Sequence, residues 1–242
     1  MKRTGLFVPL FALLLTACSE RDSVSGNIVF EISDNIEVTD MVRSAVSDYT
    51  ELPSGDDFSI SLTNSLGASV WSGKAGAWDS STALPVGDYS VTATYGAEGE
   101  EGFDKPFFSG SANFTLTGGN AQTVKIPVKL QNTIVRVKCT ERFDNYFTGY
   151  TFSLKTGAGS TVDIARGQTK AVFMDAYKFT LTGSLVNQGG AAANFGPKEY
   201  ENLEAATCYT LKFDATDIGG LKLQITFNEN VETVDLGPIE LN

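Results

Sequence analysis

Leu84-Pro-Val-Gly-Asp-Tyr89-Ser-Val-Thr-Ala-Thr-Tyr95 is the stretch on which the fold turns. Tyr89, Val91, Ala93 and Tyr95 fall on one face of an extended chain, and Ser90, Thr92 and Thr94 on the other. This period of two predicts a half-buried β-strand, entered through turn chemistry at Pro85 and Gly87-Asp88. Working outward, Gln122 to Leu130 repeats the pattern, with Val124, Ile126, Val128 and Leu130 inward and Lys125 and Lys129 outward. Phe58-Ser-Ile-Ser-Leu62 alternates in the same way, and Ala68 to Ser72 is its hairpin partner across Gly67. Strands are also expected at Asn27–Ile32 and Asn113–Thr117.

Beyond Asn132 the pattern resumes at Ile134–Cys139, Tyr150–Lys155, Ala171–Met174, Tyr177–Leu185, Tyr209–Phe213, Leu221–Phe227 and Thr233–Leu241. Turn residues separate these strands at short intervals, as antiparallel sandwiches require. A faint internal repeat joins the two halves. Phe58-Ser-Ile-Ser-Leu62 answers to Tyr150-Thr-Phe-Ser-Leu154, and Pro106–Leu116 answers to Asn194–Leu203. The chain is therefore expected to be all-β, with two antiparallel β-sandwich domains in tandem at residues 24–130 and 131–242. Residues 33–57 interrupt the pattern. Asp40 is placed to cap a short helix through Tyr49, with Met41, Val42, Ala45 and Val46 on one side.

The N-terminus carries a different signal. Lys2 and Arg3 precede an apolar run from Gly5 to Leu15 that is too short to span a bilayer. Leu15-Thr16-Ala17-Cys18 follows. It resembles the bacterial lipoprotein box, which implies cleavage of residues 1–17, a lipidated Cys18 and a polar tether over 18–23. Several acyl chains, at about 0.8 kcal/mol per buried methylene, hold a protein permanently at a membrane.

Composition closes several routes to catalysis. The chain has 18 Lys+Arg against 29 Asp+Glu, a formal net charge of −11, and no histidine. The acidic balance argues against nucleic acid, which needs basic patches. Without histidine there is no Ser–His or Cys–His couple and no His-based acid–base pair. Nothing in the sequence singles out a carboxylate pair for hydrolysis, and no enzyme and no cofactor are expected. Cys139 shares a face with Val135 and Val137, whereas Cys208 shares one with Thr210 and Lys212. Cys139 is thus expected buried and Cys208 exposed, while an exported protein leaves a Cys139–Cys208 bridge open.

For ligand contact, the candidates are Trp78, Phe103 and Asp104. Trp71 and Trp78 flank a small, flexible stretch, and Phe103 adjoins an acidic loop. A flat ring beside a carboxylate suits a pyranose. Glu98, Glu100, Glu101 and Asp104 supply oxygen donors of the calcium type, but without an EF-hand order, and a solvated loop is the simpler reading; no metal is expected.

Leu84-Pro-Val-Gly-Asp-Tyr89 resembles the strand entry of transthyretin-like and carboxypeptidase-regulatory-like sandwiches, and Leu203–Leu211 is a looser version. With the lipobox and the Phe107-Phe108-Ser-Gly110 element, the chain resembles Bacteroidetes two-domain lipoproteins of unknown function with Ig-like or transthyretin-like sandwiches. Fimbrillin-like subunits and anchors of type V pili share that architecture. The resemblance implies an outer-membrane lipoprotein whose partners are the membrane, through its lipid, and either a glycan or other pilus and envelope proteins. Ser19-Glu20-Arg-Asp22 resembles the surface-export tag of that phylum, with Arg21 interrupting the acidic run, and Asp22-Ser23-Val24 fits its O-glycosylation pattern. In the fimbrillin-like case, cleavage after Arg43 would free the first strand for exchange with a neighbour's terminal strand.

Overall fold

The computed structural model describes residues 24–33, 37–38, 44–175, 177–215, 221–227 and 230–235. Cys18, the tether and Arg43 lie outside the described residues, as does the end of the last expected strand. The first half contributes β1 (Ser25–Gly26), β2 (Ile28–Ser33), β3 (Glu37–Val38), β4 (Ser44–Ala45), β5 (Ser59–Asn64) and β6 (Ser69–Lys74). It continues with β7 (Leu84–Pro85), β8 (Gly87–Tyr95), β9 (Gly102–Phe103), β10 (Phe108–Leu116) and β11 (Gln122–Leu130). The second half opens with β12 (Thr133–Cys139), then α1 (Glu141–Tyr146), β13 (Phe147–Thr156), β14 (Thr161–Ala165) and β15 (Val172–Met174). β16 (Phe179–Asn187), β17 (Ala192–Tyr200), β18 (Cys208–Ala215), β19 (Leu221–Phe227) and β20 (Asn230–Asp235) complete it. The protein is all-β.

The opening motif explains itself locally. Gly87 has φ 149°, a conformation that side chains disfavour, and this lets the chain bend from β7 into β8. Tyr89, buried and stacked on Phe114 at 5.6 Å, donates its hydroxyl back to the Pro85 carbonyl at 2.7 Å and closes the turn. In the looser copy the direction is reversed: the Tyr209 hydroxyl accepts from the Glu204 N–H at 2.9 Å. That copy leads into β18, a different place in the strand order from β8.

Three large sheets carry the strands. The first runs β6-β5-β8-β10-β11-β2, the second β20-β19-β18-β12-β15-β9, and the third β14-β13-β16-β17. The order β6-β5-β8-β10 is thus repeated as β14-β13-β16-β17, so the sequence repeat aligns strands in equivalent positions. The first two sheets are mixed, which corrects the expectation of purely antiparallel pairing there, whereas the third is antiparallel throughout. β2 runs parallel to β11, and β12 runs parallel to β18. In each half the opening strand lies beside a late strand travelling in the same direction.

Two hydrophobic clusters form, and the second sheet faces both. Ile134, Phe173 and Cys208 belong to the first cluster with Ile60, Val91 and Ile126, whereas Val135, Val172 and Tyr209 belong to the second with Phe152 and Leu181. Alternate residues of β12, β15 and β18 therefore meet different cores. This inverts the expected exposure of the cysteines: Cys208 is buried and Cys139 half-buried, because the polar-looking face of β18 also lies inside, with Thr210 only 8% exposed. Neither cysteine is in a disulfide. Cys139 stands opposite Phe213, five positions beyond Cys208, or about 16 Å along the strand. A disulfide needs Cα atoms within about 7 Å.

The expected helix through Tyr49 is, in its described part, β4 followed by a single 3-10 turn over Val46–Asp48. Val46 and Tyr49 are buried in the first cluster, so tertiary packing rather than helical periodicity uses these apolar residues. β9, β14 and β17 had no counterpart among the expected strands. β9 crosses the expected boundary at residue 130 by pairing with β15, Phe103 opposite Val172.

Candidate functional site

The end of the pairing between β12 and β15 positions a cavity. β15 pairs with β12 only over Thr133–Val135. Beyond Val135 the two diverge, and Arg136 to Cys139 form one wall of a cavity of about 380 Å³. The 3-10 turn supplies Asp48 and Tyr49, α1 supplies Asp144, β13 supplies Tyr150, and the loop after β14 supplies Gly167 to Ala171. Gly167 takes φ 82° and Gln168 accepts from the Lys170 N–H at 2.9 Å, which shapes that loop.

Charge and aromatic rings share the walls. The Arg136 guanidinium lies 5.2 Å from the Tyr49 ring centroid and donates through Nε to Thr210 Oγ1 at 2.7 Å. Such a stack on an aromatic face holds the guanidinium in a fixed orientation. On the other side the Tyr150 hydroxyl donates to Asp144 Oδ1 at 2.7 Å, and Arg166 stands 3.9 Å from the same oxygen. Lys138 is exposed beside the opening.

The thiol in this cavity is not prepared for nucleophilic attack. Burial pushes Cys139 up to about 11; the Tyr150 hydrogen bond opposes this and the Asp144 charge adds to it. Burial also raises Tyr150, helped by its bonds to Cys139 and Asp144. At neutral pH both groups stay protonated, and a thiol rather than a thiolate is a poor nucleophile.

Two of the residues expected from sequence lie close to this cavity. Asp104 forms an ion pair with Lys170, a lining residue, and Phe103 packs against the second cluster beside it. Trp78 is elsewhere. Its indole N–H donates to the Ile28 carbonyl at 3.0 Å, and its ring meets Trp71 edge-on at 5.1 Å and Phe30 at 5.3 Å. These contacts tie the half-buried Trp78 to β2 and to the rings beside it. Tyr49, Arg136, Lys138 and Tyr150 were missed by the sequence reading. The available signal was Arg136 and Lys138, two basic residues on one face of a strand in an acidic chain.

The acidic loop does not gather around one point. Glu100 pairs with Lys105 at 2.8 Å, Glu101 accepts from the Thr156 hydroxyl, and Asp104 turns to Lys170. Among the described residues no three His, Cys, Asp or Glu side chains stand in an arrangement that could hold a metal ion.

The fold and this cavity define an all-β protein of mixed and antiparallel sheets with a tyrosine-walled cleft. The chain belongs to the family described as a domain of unknown function, DUF4493, whose model matches residues 25–237. No curated protein matches it. Among solved structures it is similar to a fimbrial assembly protein from Parabacteroides distasonis, at 11% identity and a TM-score of 0.47, covering 87% of this chain and 98% of that one. It is also similar to a protein from Bacteroides eggerthii provisionally named a cell adhesion protein, at 13% identity and a TM-score of 0.47, with 90% and 94% covered. A third, from Bacteroides thetaiotaomicron, bears a provisional polysaccharide-binding name, at 13% identity and a TM-score of 0.46, with 87% and 98% covered.

Proposed function

We propose that this protein is a lipid-anchored component of the outer membrane whose folded part is a non-enzymatic adhesion or glycan-contact module, built from two sandwich units in tandem. The cavity beside β12 carries this reading. It offers tyrosine walls and mixed hydrogen-bonding groups, the equipment of a saccharide site. Its thiol is held protonated, and the chain has no histidine to activate it. The repeated order β6-β5-β8-β10 and β14-β13-β16-β17 supports two related units. The lipobox ending at Cys18 supports the anchor. Two assays test the reading together: fractionation of cells carrying Cys18→Ala, and a glycan array probed with the purified protein. Release of the variant from membranes and selective array binding are expected. Retention on membranes would remove the anchor, and a blank array with no adhesion to cells would remove the module.

One observation favours a second reading, a subunit or anchor of a type V pilus assembled by strand exchange. Among the described residues β2 is an edge strand, paired with β11 alone and parallel to it, yet it buries Ile28 in the first cluster. Loss of such a strand after cleavage at Arg43 would open an apolar groove for a neighbour's strand. SDS-resistant ladders together with an N-terminus at Ser44 would select this reading. A monomer beginning at lipidated Cys18 would reject the processed form.

A further inference from the structure

We infer that the cavity beside β12 binds a carboxylate-bearing sugar, a uronic acid residue, with Lys138 and Arg136 as the groups that recognise its charge. This deepens the glycan-contact reading and rests on it. The chain as a whole carries 29 acidic against 18 basic residues, yet Arg136 and Lys138 stand together at the wall of this cavity. This basic pair sits on one strand face. Arg136 and Lys138 are two apart on β12, so both project from the same side. Arg136 is already held by the Tyr49 ring and by Thr210, which leaves little side-chain entropy to lose when an anion arrives. An oriented guanidinium and a nearby ammonium suit a carboxylate.

The remaining lining suits hydroxyl groups. Asp48, Asp144 and Gln168 bring acceptor oxygens to its wall, and Tyr150 adds an aromatic side chain beside them. A volume of about 380 Å³ admits one or two sugar residues. Lys170 is tied to Asp104 and Asp144 to Tyr150, so these pairs frame the site while Lys138 stands exposed at its edge.

The test uses the lipidated protein in nanodiscs, with tetragalacturonate and neutral galactotetraose as probes in calorimetric titration. Wild type is expected to bind the acidic probe and not the neutral one. Lys138→Glu is expected to weaken acidic binding by about tenfold or more, since a charge-assisted contact becomes a repulsion. Lys138→Arg should restore it. Lys138 is exposed, so the fold survives either change, and a matching circular dichroism melt verifies that. Equal affinity for both probes, or no effect of Lys138→Glu, overturns the inference. Absence of acidic binding alongside selective binding of other glycans overturns it too, and leaves the glycan-contact module standing. A blank array and no cell adhesion overturn both.

Discussion

Strand β10 passes β11 so closely at Gly110 that a Cβ there would lie 2.0 Å from the Pro127 carbonyl oxygen and 2.8 Å from Val128 Cα. Both obstacles are backbone, so neither can rotate away. Gly110→Ala is expected to destabilise the protein by about 2 kcal/mol, the scale of overpacking a close-fitted site. For a chain of this size that lowers Tm by about 4–8 °C, readable in a thermal melt. An unchanged Tm would mean that β10 and β11 separate at little cost. The cysteines give a second prediction at this scale. Cys139 is raised to about 11 from an ordinary value of 9.0, so the folded state holds its proton more tightly than the unfolded chain. The sign follows: this contribution is present below about pH 9 and is lost as pH rises towards about 11. Cys139→Ala should therefore show a shallower alkaline loss of stability than wild type. Native protein at pH 7.5 should resist iodoacetamide at both Cys139 and Cys208, and modify at both once unfolded. Rapid native modification of Cys139 would contradict its burial.

At the scale of elements, the segment carrying β9 behaves as a strap fastened by one buried side chain. Asn132 is fully buried, accepts the Phe107 N–H at 2.5 Å and donates to Asp175 at 2.5 Å. Asp175 also accepts from the Gly99 N–H. Residues 99 and 107, on either side of β9, are thus tied to Asn132 and to the segment after β15. Asn132→Ala leaves a buried N–H and a half-buried carboxylate without their partner, and should cost about 3 kcal/mol. The readout is hydrogen exchange: amides of residues 99–107 should lose protection while those of β16 keep it. If protection is unchanged, β9 is held by its pairing with β15 alone. This strap was illegible in the sequence, because Glu98 to Asp104 reads as a solvated acidic run until its separate partners Lys105, Thr156 and Lys170 are known. By contrast β8 and β11 were legible almost residue by residue. Each meets a core on one face only, with Val91 and Ile126 fully buried and the alternate positions left half-buried or exposed, which is the condition under which period-two reading works.

On the scale of the whole molecule, the second sheet is the member that the period-two reading could not resolve. Its strands β12, β15 and β18 send Ile134, Phe173 and Cys208 into one cluster and Val135, Val172 and Tyr209 into the other. Both faces being buried, alternation no longer separates inside from outside, and the exposure of Cys208 was misjudged for that reason. The cavity was hidden with it: Tyr49 comes from the first half and Arg136, Tyr150 and Gln168 from the second, and only the divergence of β12 from β15 opens the space between them. The same arrangement couples the stability of the two halves. Separating them would expose Ile134, Ala171 and Phe173, all almost fully buried, and would break the pairing of β9 with β15. Fully burying one such large apolar side chain is worth about 1.5–3 kcal/mol, so the coupling is comparable to a domain's total stability of about 5–15 kcal/mol. Scanning calorimetry of the chain from residue 24 is accordingly expected to show one transition with a van't Hoff to calorimetric enthalpy ratio near one. Asn132→Ala should move that single transition down without dividing it. Two resolved peaks in wild type would mean that the halves unfold separately and that the shared face contributes little.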